Sequence, residues 1–210
     1  MHDPVPARLY RCDCLWRLGR DYSKSAERGI KARLSQKYSL AERGRLMEKI
    51  DRKYEEFLVD LPYCGGKHNV MIWQLYDAIT AFAYYEVLPE QETPEEFIKT
   101  CAVIFEKGKQ RKTLPHFLTV DSKDFIRVAR AKKMNRELDR GNWQNGWRIE
   151  METDHLNEGL QVALIGCPIY NFAVKHGYEK LMPAMCNCDC PSIGSLHAGL
   201  VRPTHGFQRR

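Results

Sequence analysis

"WRIEMETDHLNEGLQVALIGCPIYNFAVKHG", residues 147–177, is the stretch on which the fold turns. Trp147–Thr153 alternates apolar and polar residues with period two, the pattern of a half-buried strand. Asp154–Gly159 is rich in turn formers, and Leu160–Gly166 alternates again. The two segments predict an antiparallel hairpin. At Cys167 the pattern changes. Pro168 suits the first helical position, whose N–H has no partner in any case, and Gly177 stands where a helix closes in the left-handed conformation.

Upstream, the period is helical. Ser39–Glu42, "SLAE", is a capping box in which the serine and the glutamate each serve the other's orphan backbone N–H. Leu46, Ile50, Tyr54, Phe57 and Leu58 follow as one apolar stripe, and Pro62 with "CGGKHN" ends that helix. Ile72, Leu75, Tyr76, Ile79, Phe82, Ala83 and Val87 predict a second helix. "TPEE", Thr93–Glu96, opens a third with Thr as N-cap, Pro at the first position and Glu at the third; Phe97, Cys101, Ile104 and Phe105 continue it toward Gly108. A fourth helix is predicted from near Ser122 to Leu138.

Downstream, "YEKLMPAM" reads as a short helical piece and His197–His205 as a late strand. The expected class is α+β: a helical N-terminal half, then a small antiparallel sheet with helices in the order ββααβ. The expected organisation is a basic helical extension over 1–38 and one α+β domain over 39–210. Within that domain, 39–138 is the helical part and 147–205 the sheet-containing part.

Composition bounds the class. The 210 residues are 43% hydrophobic and 29% charged, as in a globular chain, and no apolar run reaches the length of a membrane span. "MHDPVPARLYRCDC" lacks the apolar core of a signal peptide, so the expected compartment is the cytoplasm, with reduced thiols. The net charge of +6 sits near the start: residues 1–53 hold 14 Lys/Arg against 7 Asp/Glu. A solvated helix face and a scaffold surface for an acidic partner both fit that excess. No zinc-finger spacing, aromatic ribonucleoprotein motif or Gly-rich phosphate loop is present. The expected partner is a small-molecule substrate, with no nucleic acid, no membrane and no cofactor; a homo-oligomer stays open.

Chemistry concentrates in the C-terminal third. Cys167 closes a predicted strand and opens a predicted helix, where the macrodipole and unsatisfied N–H groups favour a thiolate. A nucleophilic thiol needs that state, and a structural cysteine is the alternative. "AMCNCDCPS", residues 184–192, spaces Cys186, Cys188 and Cys190 at every second position. If extended, it presents three thiols on one face, although structural zinc prefers a C-x₂₋₄-C spacing. If it is a helix end or loop, Asp189 can turn inward beside Cys186 and serve as a general base. His155, His197 and His205 are the other candidates, with His155 or His197 as a proton shuttle, and Arg202 is a candidate carboxylate clamp.

"CPIYNFAVKHGYEKLMPAMCNCDC" and "LHAGLVRPTHG" resemble the L-2-amino-thiazoline-4-carboxylic acid hydrolase family over roughly residues 40–205. The pattern is carried by Cys167, Tyr170, Gly177, Leu181, Pro183, Cys186, Asn187, Asp189, Leu200, Arg202 and Thr204; "LPYCGGKHN", Leu61–Asn69, also fits. Gly166 stands where the pattern has Arg, Cys190 where it has an aromatic, and Pro203 splits its Arg-Thr pair. The resemblance implies a hydrolase that opens a small heterocycle at a C–N bond, on a 2-amino-thiazoline carboxylate or a related cyclic amidine or amide. Cys167 or Cys186 would attack, and Asp189 with His197 would move protons without metal. Asn187, Arg202, Tyr170 and His155 would hold the substrate. In a second version Asp189 activates water and the thiols only line the pocket. The alternative function is a thiol-rich metal-binding or small-molecule-binding protein without hydrolase activity.

Overall fold

The computed structural model describes residues 24–66, 69, 71–106, 132–152 and 161–187. Among the described residues four long helices come first: α1 (Lys24–Leu34), α2 (Leu40–Val59), α3 (Ile72–Val87) and α4 (Pro94–Glu106). A short helix α5 over 132–139 precedes β1 (Arg148–Glu152) and β2 (Gln161–Ile165). Then come α6 (Pro168–His176), a 3₁₀ turn (Glu179–Leu181) and α7 (Met182–Asn187). The class is therefore α+β and mostly helical. Among the described residues no helix is long and apolar enough to cross a membrane.

The helix starts follow their sequence signals. Ser39 caps α2: its Oγ accepts from the Glu42 N–H, and the Glu42 carboxylate accepts from the Ser39 N–H. The same reciprocal pair forms at α4, where the Glu96 N–H donates to Thr93 Oγ1 at 3.3 Å and the Thr93 N–H donates to Glu96 Oε2 at 3.0 Å. Gly177 closes α6 at φ 75°, a left-handed cap that glycine adopts at no steric cost.

The predicted stripe of α2 is buried at each of its five positions. In α3, Ile72, Leu75, Tyr76, Ile79, Phe82 and Ala83 are buried and Val87 is half-buried. Phe97, Cys101 and Ile104 are buried on α4. Each large side chain so buried contributes about 1.5–3 kcal/mol. α1 packs on α4, α2 and α6 on α3, and α7 on α4.

Within the segment read as a basic extension, α1 contributes to this core. Ala26, Ile30 and Leu34 of α1, spaced by four residues, are fully buried. Gly29 sets the crossing: a Cβ there would stand 2.4 Å from the Ile104 backbone, so only glycine lets the two helices approach so closely.

β1 and β2 pair antiparallel with Ile149 opposite Leu164 and Arg148 opposite Ile165. The outer side of β1 is served by a side chain. Asn135 Nδ2 donates to the Ile149 carbonyl at 2.8 Å, and the Ile149 N–H donates to Asn135 Oδ1 at 2.9 Å. Ile149 packs against the core. In β2, however, Ala163, Leu164 and Ile165 are all exposed, so its alternation does not sort residues into buried and solvated faces. The reason is tertiary: the core is filled by helices, and the two-stranded hairpin lies at its margin. The predicted start of the fourth helix near Ser122 and the late strand at His197–His205 lie outside the described residues.

Candidate functional site

The turn after α2 is built by its glycines and one buried asparagine. Gly65 has φ 89° and Gly66 φ 47°, both in the left-handed region. A Cβ at Gly65 would lie 2.3 Å from Trp143 Cε2, so the indole closes directly onto the glycine backbone. Asn69 is fully buried; its Nδ2 donates to the Cys64 carbonyl at 2.7 Å, and its Oδ1 accepts from the Met71 N–H at 2.9 Å. The Cys64 thiol, also buried, donates to the Pro62 carbonyl at 3.2 Å.

This turn is joined to the loop before β1. The N–H groups of Gln144 and Asn145 donate to the Tyr63 carbonyl at 2.8 and 3.3 Å, and the Tyr63 N–H donates to Gln144 Oε1 at 3.1 Å. Asn145 Oδ1 accepts from the Gly146 N–H at 2.9 Å and from Asn171 Nδ2 at 3.4 Å. Asn171 belongs to the first turn of α6. The "PYCGG" turn, the "NWQNG" loop and the helix that opens at Cys167 thus form one connected frame. Sequence reasoning passed over Asn145 and Asn171; the available signal was the Asn-Gly pair just before a strand, which marks a turn.

Cys167 stands where the sequence placed it. It is the N-cap of α6, extended at φ −91° and ψ 114°, and Pro168 occupies the first position. Its carbonyl accepts the first helical bond, from the Asn171 N–H at 3.0 Å. Its side chain makes no capping hydrogen bond, and the residue is half-buried against the core. Gly166, at φ 68°, turns the chain from β2 into this position. An arginine there, as in the pattern the chain resembles, would be held in a conformation that L side chains rarely adopt.

Tyr170 is half-buried on α6, and Cys186 is half-buried near the end of α7; both pack against the same core as Cys167. Asn187 is exposed and is the last residue of α7. Cys186 and Asn187 are helical, so the extended reading of "AMCNCDCPS" does not hold at its first thiol. Asp189, His155, His197 and Arg202, with Cys188 and Cys190, lie outside the described residues. Among the described residues no group of three or more His, Cys, Asp or Glu side chains could hold a metal ion.

The structure also gathers ionisable groups that sequence reasoning did not single out. Tyr178 Oη donates to Glu86 Oε2 at 2.7 Å, and burial together with that carboxylate pushes the phenol well above its ordinary range. His176 lies flat on Phe172 with ring centroids 4.1 Å apart, and burial pulls its imidazole below its ordinary value.

The family model described as L-2-amino-thiazoline-4-carboxylic acid hydrolase matches residues 73–205. No curated protein and no solved structure matches the chain. The matched span takes in Cys167, Tyr170, Cys186, Asn187, Asp189, His197 and Arg202. It begins after α1, α2 and "LPYCGGKHN", which is narrower than the resemblance read from residue 40. It still covers well over half of the 210 residues. On that match the chain belongs to the L-2-amino-thiazoline-4-carboxylic acid hydrolase family.

Proposed function

We propose that this protein is a hydrolase that opens a small five-membered heterocycle, a 2-amino-thiazoline carboxylate or a related cyclic amidine or amide. Family membership over 73–205 supports the reaction class. The observation that carries the site is the seat of Cys167, a half-buried thiol-bearing N-cap at the junction of β2 and α6. There the first-turn N–H groups and the helix dipole favour negative charge.

In this reading a thiolate, Cys167 or Cys186, adds to the electrophilic ring carbon. The ring opens when a heteroatom on that carbon leaves and takes a proton. In a cyclic amide or amidine this breaks the C–N bond; in a 2-amino-thiazoline the same addition can release the ring sulfur as a thiol. Water then attacks the enzyme-bound carbonyl or amidine carbon and returns the cysteine. Asp189 and His197 carry the protons, as positioned groups of ordinary acid–base chemistry do. Asn187 orients the intermediate, Arg202 pairs with the substrate carboxylate, and Tyr170 and His155 border the substrate.

The test is turnover of thiazoline carboxylates, hydantoins and lactams by the purified protein, with Cys167→Ala, Cys186→Ala and Asp189→Asn alongside. Loss of activity in the nucleophile's variant by at least about a hundredfold is expected. Product analysis shows which ring bond breaks. Undiminished turnover in all three variants would overturn the site.

A further inference from the structure

The C-terminal turn of α6 meets the C-terminal end of α2 through a cluster that the hydrolase reading does not use. Asp60 caps α2, and its two oxygens face consecutive residues of α6. Oδ1 lies 3.1 Å from Lys175 Nζ, and Oδ2 lies 3.4 Å from His176 Nε2. The imidazole is held by rings. It stacks on Phe172 at 4.1 Å and 29°, stands 5.0 Å from Phe57 and runs nearly parallel to Tyr178 at 6.1 Å. Despite its closeness to Asp60, His176 Nε2 is buried and without a hydrogen-bond partner among the described residues.

The charged groups around this ring oppose one another. From α2 come Lys53, whose ammonium sits 5.0 Å above the Phe57 ring, and Asp60. From α3 comes Glu86, engaged by Tyr178, and from α6 itself comes Lys175. Asp60 and Glu86 favour an imidazolium; burial, Lys175 and Lys53 oppose it, and burial is the largest of these influences.

We propose that His176 is a proton-operated latch: neutral, it packs in the aromatic stack and seats the C-terminal turn of α6 on α2; protonated, its charge loosens that seat. The folded state holds the imidazole neutral below its ordinary value of 6.5, so an unlatched chain takes up the proton first. The latch is therefore at full strength above pH 6.5 and weakens as pH falls through the depressed value. Because α6 opens at Cys167, the anchoring of that helix becomes acid-sensitive; this consequence for catalysis rests on the hydrolase reading, whereas the latch does not.

Amide hydrogen exchange on the full chain tests it, followed from about pH 7.5 to about pH 5 and corrected for intrinsic chemistry, beside an imidazole NMR titration. The informative amides are Gly177 and Tyr178, which donate to Val174 and Ala173 carbonyls. Their protection should fall with acid in the wild type, by about tenfold for each unit by which the His176 titration lies below 6.5. His176→Phe, which keeps an aromatic ring, should abolish that dependence. Asp60→Asn should move the His176 titration further down. Titration of His176 at or above 6.5, pH-independent protection in the wild type, or an unchanged acid loss in His176→Phe would each overturn the latch. Should His176→Phe fail to fold, an unchanged or raised His176 titration in Asp60→Asn would do the same. None of these readouts depends on turnover, so a failed latch and a failed hydrolase assignment are told apart.

Discussion

Arg33 Nη2 stands 3.2 Å from Glu92 Oε1, and this pair fastens α1 to the body of the protein. The Glu92 side chain is only 1% exposed. Its carboxylate accepts two further hydrogen bonds: Tyr84 Oη donates to Oε1 at 3.2 Å, and Thr100 Oγ1 donates to Oε2 at 2.6 Å. Arg33 Nε donates in turn to Thr100 Oγ1 at 2.9 Å. Burying a carboxylate is costly unless it is paired and hydrogen-bonded, and here it is both. Glu92, Tyr84 and Thr100 lie within the span matched by the family, whereas Arg33 lies before it.

Arg33→Ala should therefore destabilise the fold by about 3–5 kcal/mol, because it leaves a buried charge without its partner. Urea unfolding measures this. The double variant Arg33→Ala/Glu92→Gln should lose less than the two single losses combined, since the pair is coupled. A single-variant loss below about 1 kcal/mol would place the pair among ordinary surface salt bridges.

Gly65→Ala meets two obstacles at once, a left-handed φ of 89° and the Trp143 indole within 2.3 Å. A loss of about 3 kcal/mol or more is expected by thermal or urea unfolding. Measured in a Trp143→Ala background, against that variant alone, Gly65→Ala should lose its steric part and keep the conformational part of about 1–2 kcal/mol. Equal losses with and without the indole would show that the clash is relieved elsewhere.

Native-state alkylation should divide the four described thiols by burial. Cys167 and Cys186 are half-buried, while Cys64 and Cys101 are fully buried. Iodoacetamide followed by peptide mapping should modify the first two at least about tenfold faster, because buried thiols react only through opening of the fold. Early modification of Cys101 would mean that α4 opens readily from α1 and α7.

Acid should weaken the helix starts. The Glu42 carboxyl is held below its ordinary 4.5, first by the Ser39 side chain and then by the Ser39 N–H. Glu96 is held low chiefly by the Thr93 N–H. A lowered carboxyl contributes stability above 4.5 and loses it as pH falls through the depressed value. The double variant Glu42→Gln/Glu96→Gln should therefore show a shallower loss of stability below about pH 4.5 than the wild type. Identical acid limbs would remove the caps from the explanation.

Much of this was legible in the chain because its causes are local. Leu46 to Leu58 fall on one face by helical period alone, "SLAE" and "TPEE" cap through residues three apart, and Gly177 marks an end by its freedom at positive φ. Cys167 at the mouth of a helix was readable for the same reason: strand, turn and helix signals meet within ten residues. The late strand and the Asp189, His197 and Arg202 part of the candidate site are sequence readings that lie outside the described residues.

What only the tertiary structure decided spans long separations. Arg33 finds Glu92 across 59 positions, Tyr63 finds Gln144 across 81, and Tyr178 finds Glu86 across 92. Asn135 completes the edge of β1, and Asp60 meets Lys175 and His176 end to end. No periodicity encodes such pairs, because they depend on which helix faces fill the core. The exposure of both sides of β2 has the same origin: alternation specifies two faces for a strand, but only the packed helices determine whether either one is covered.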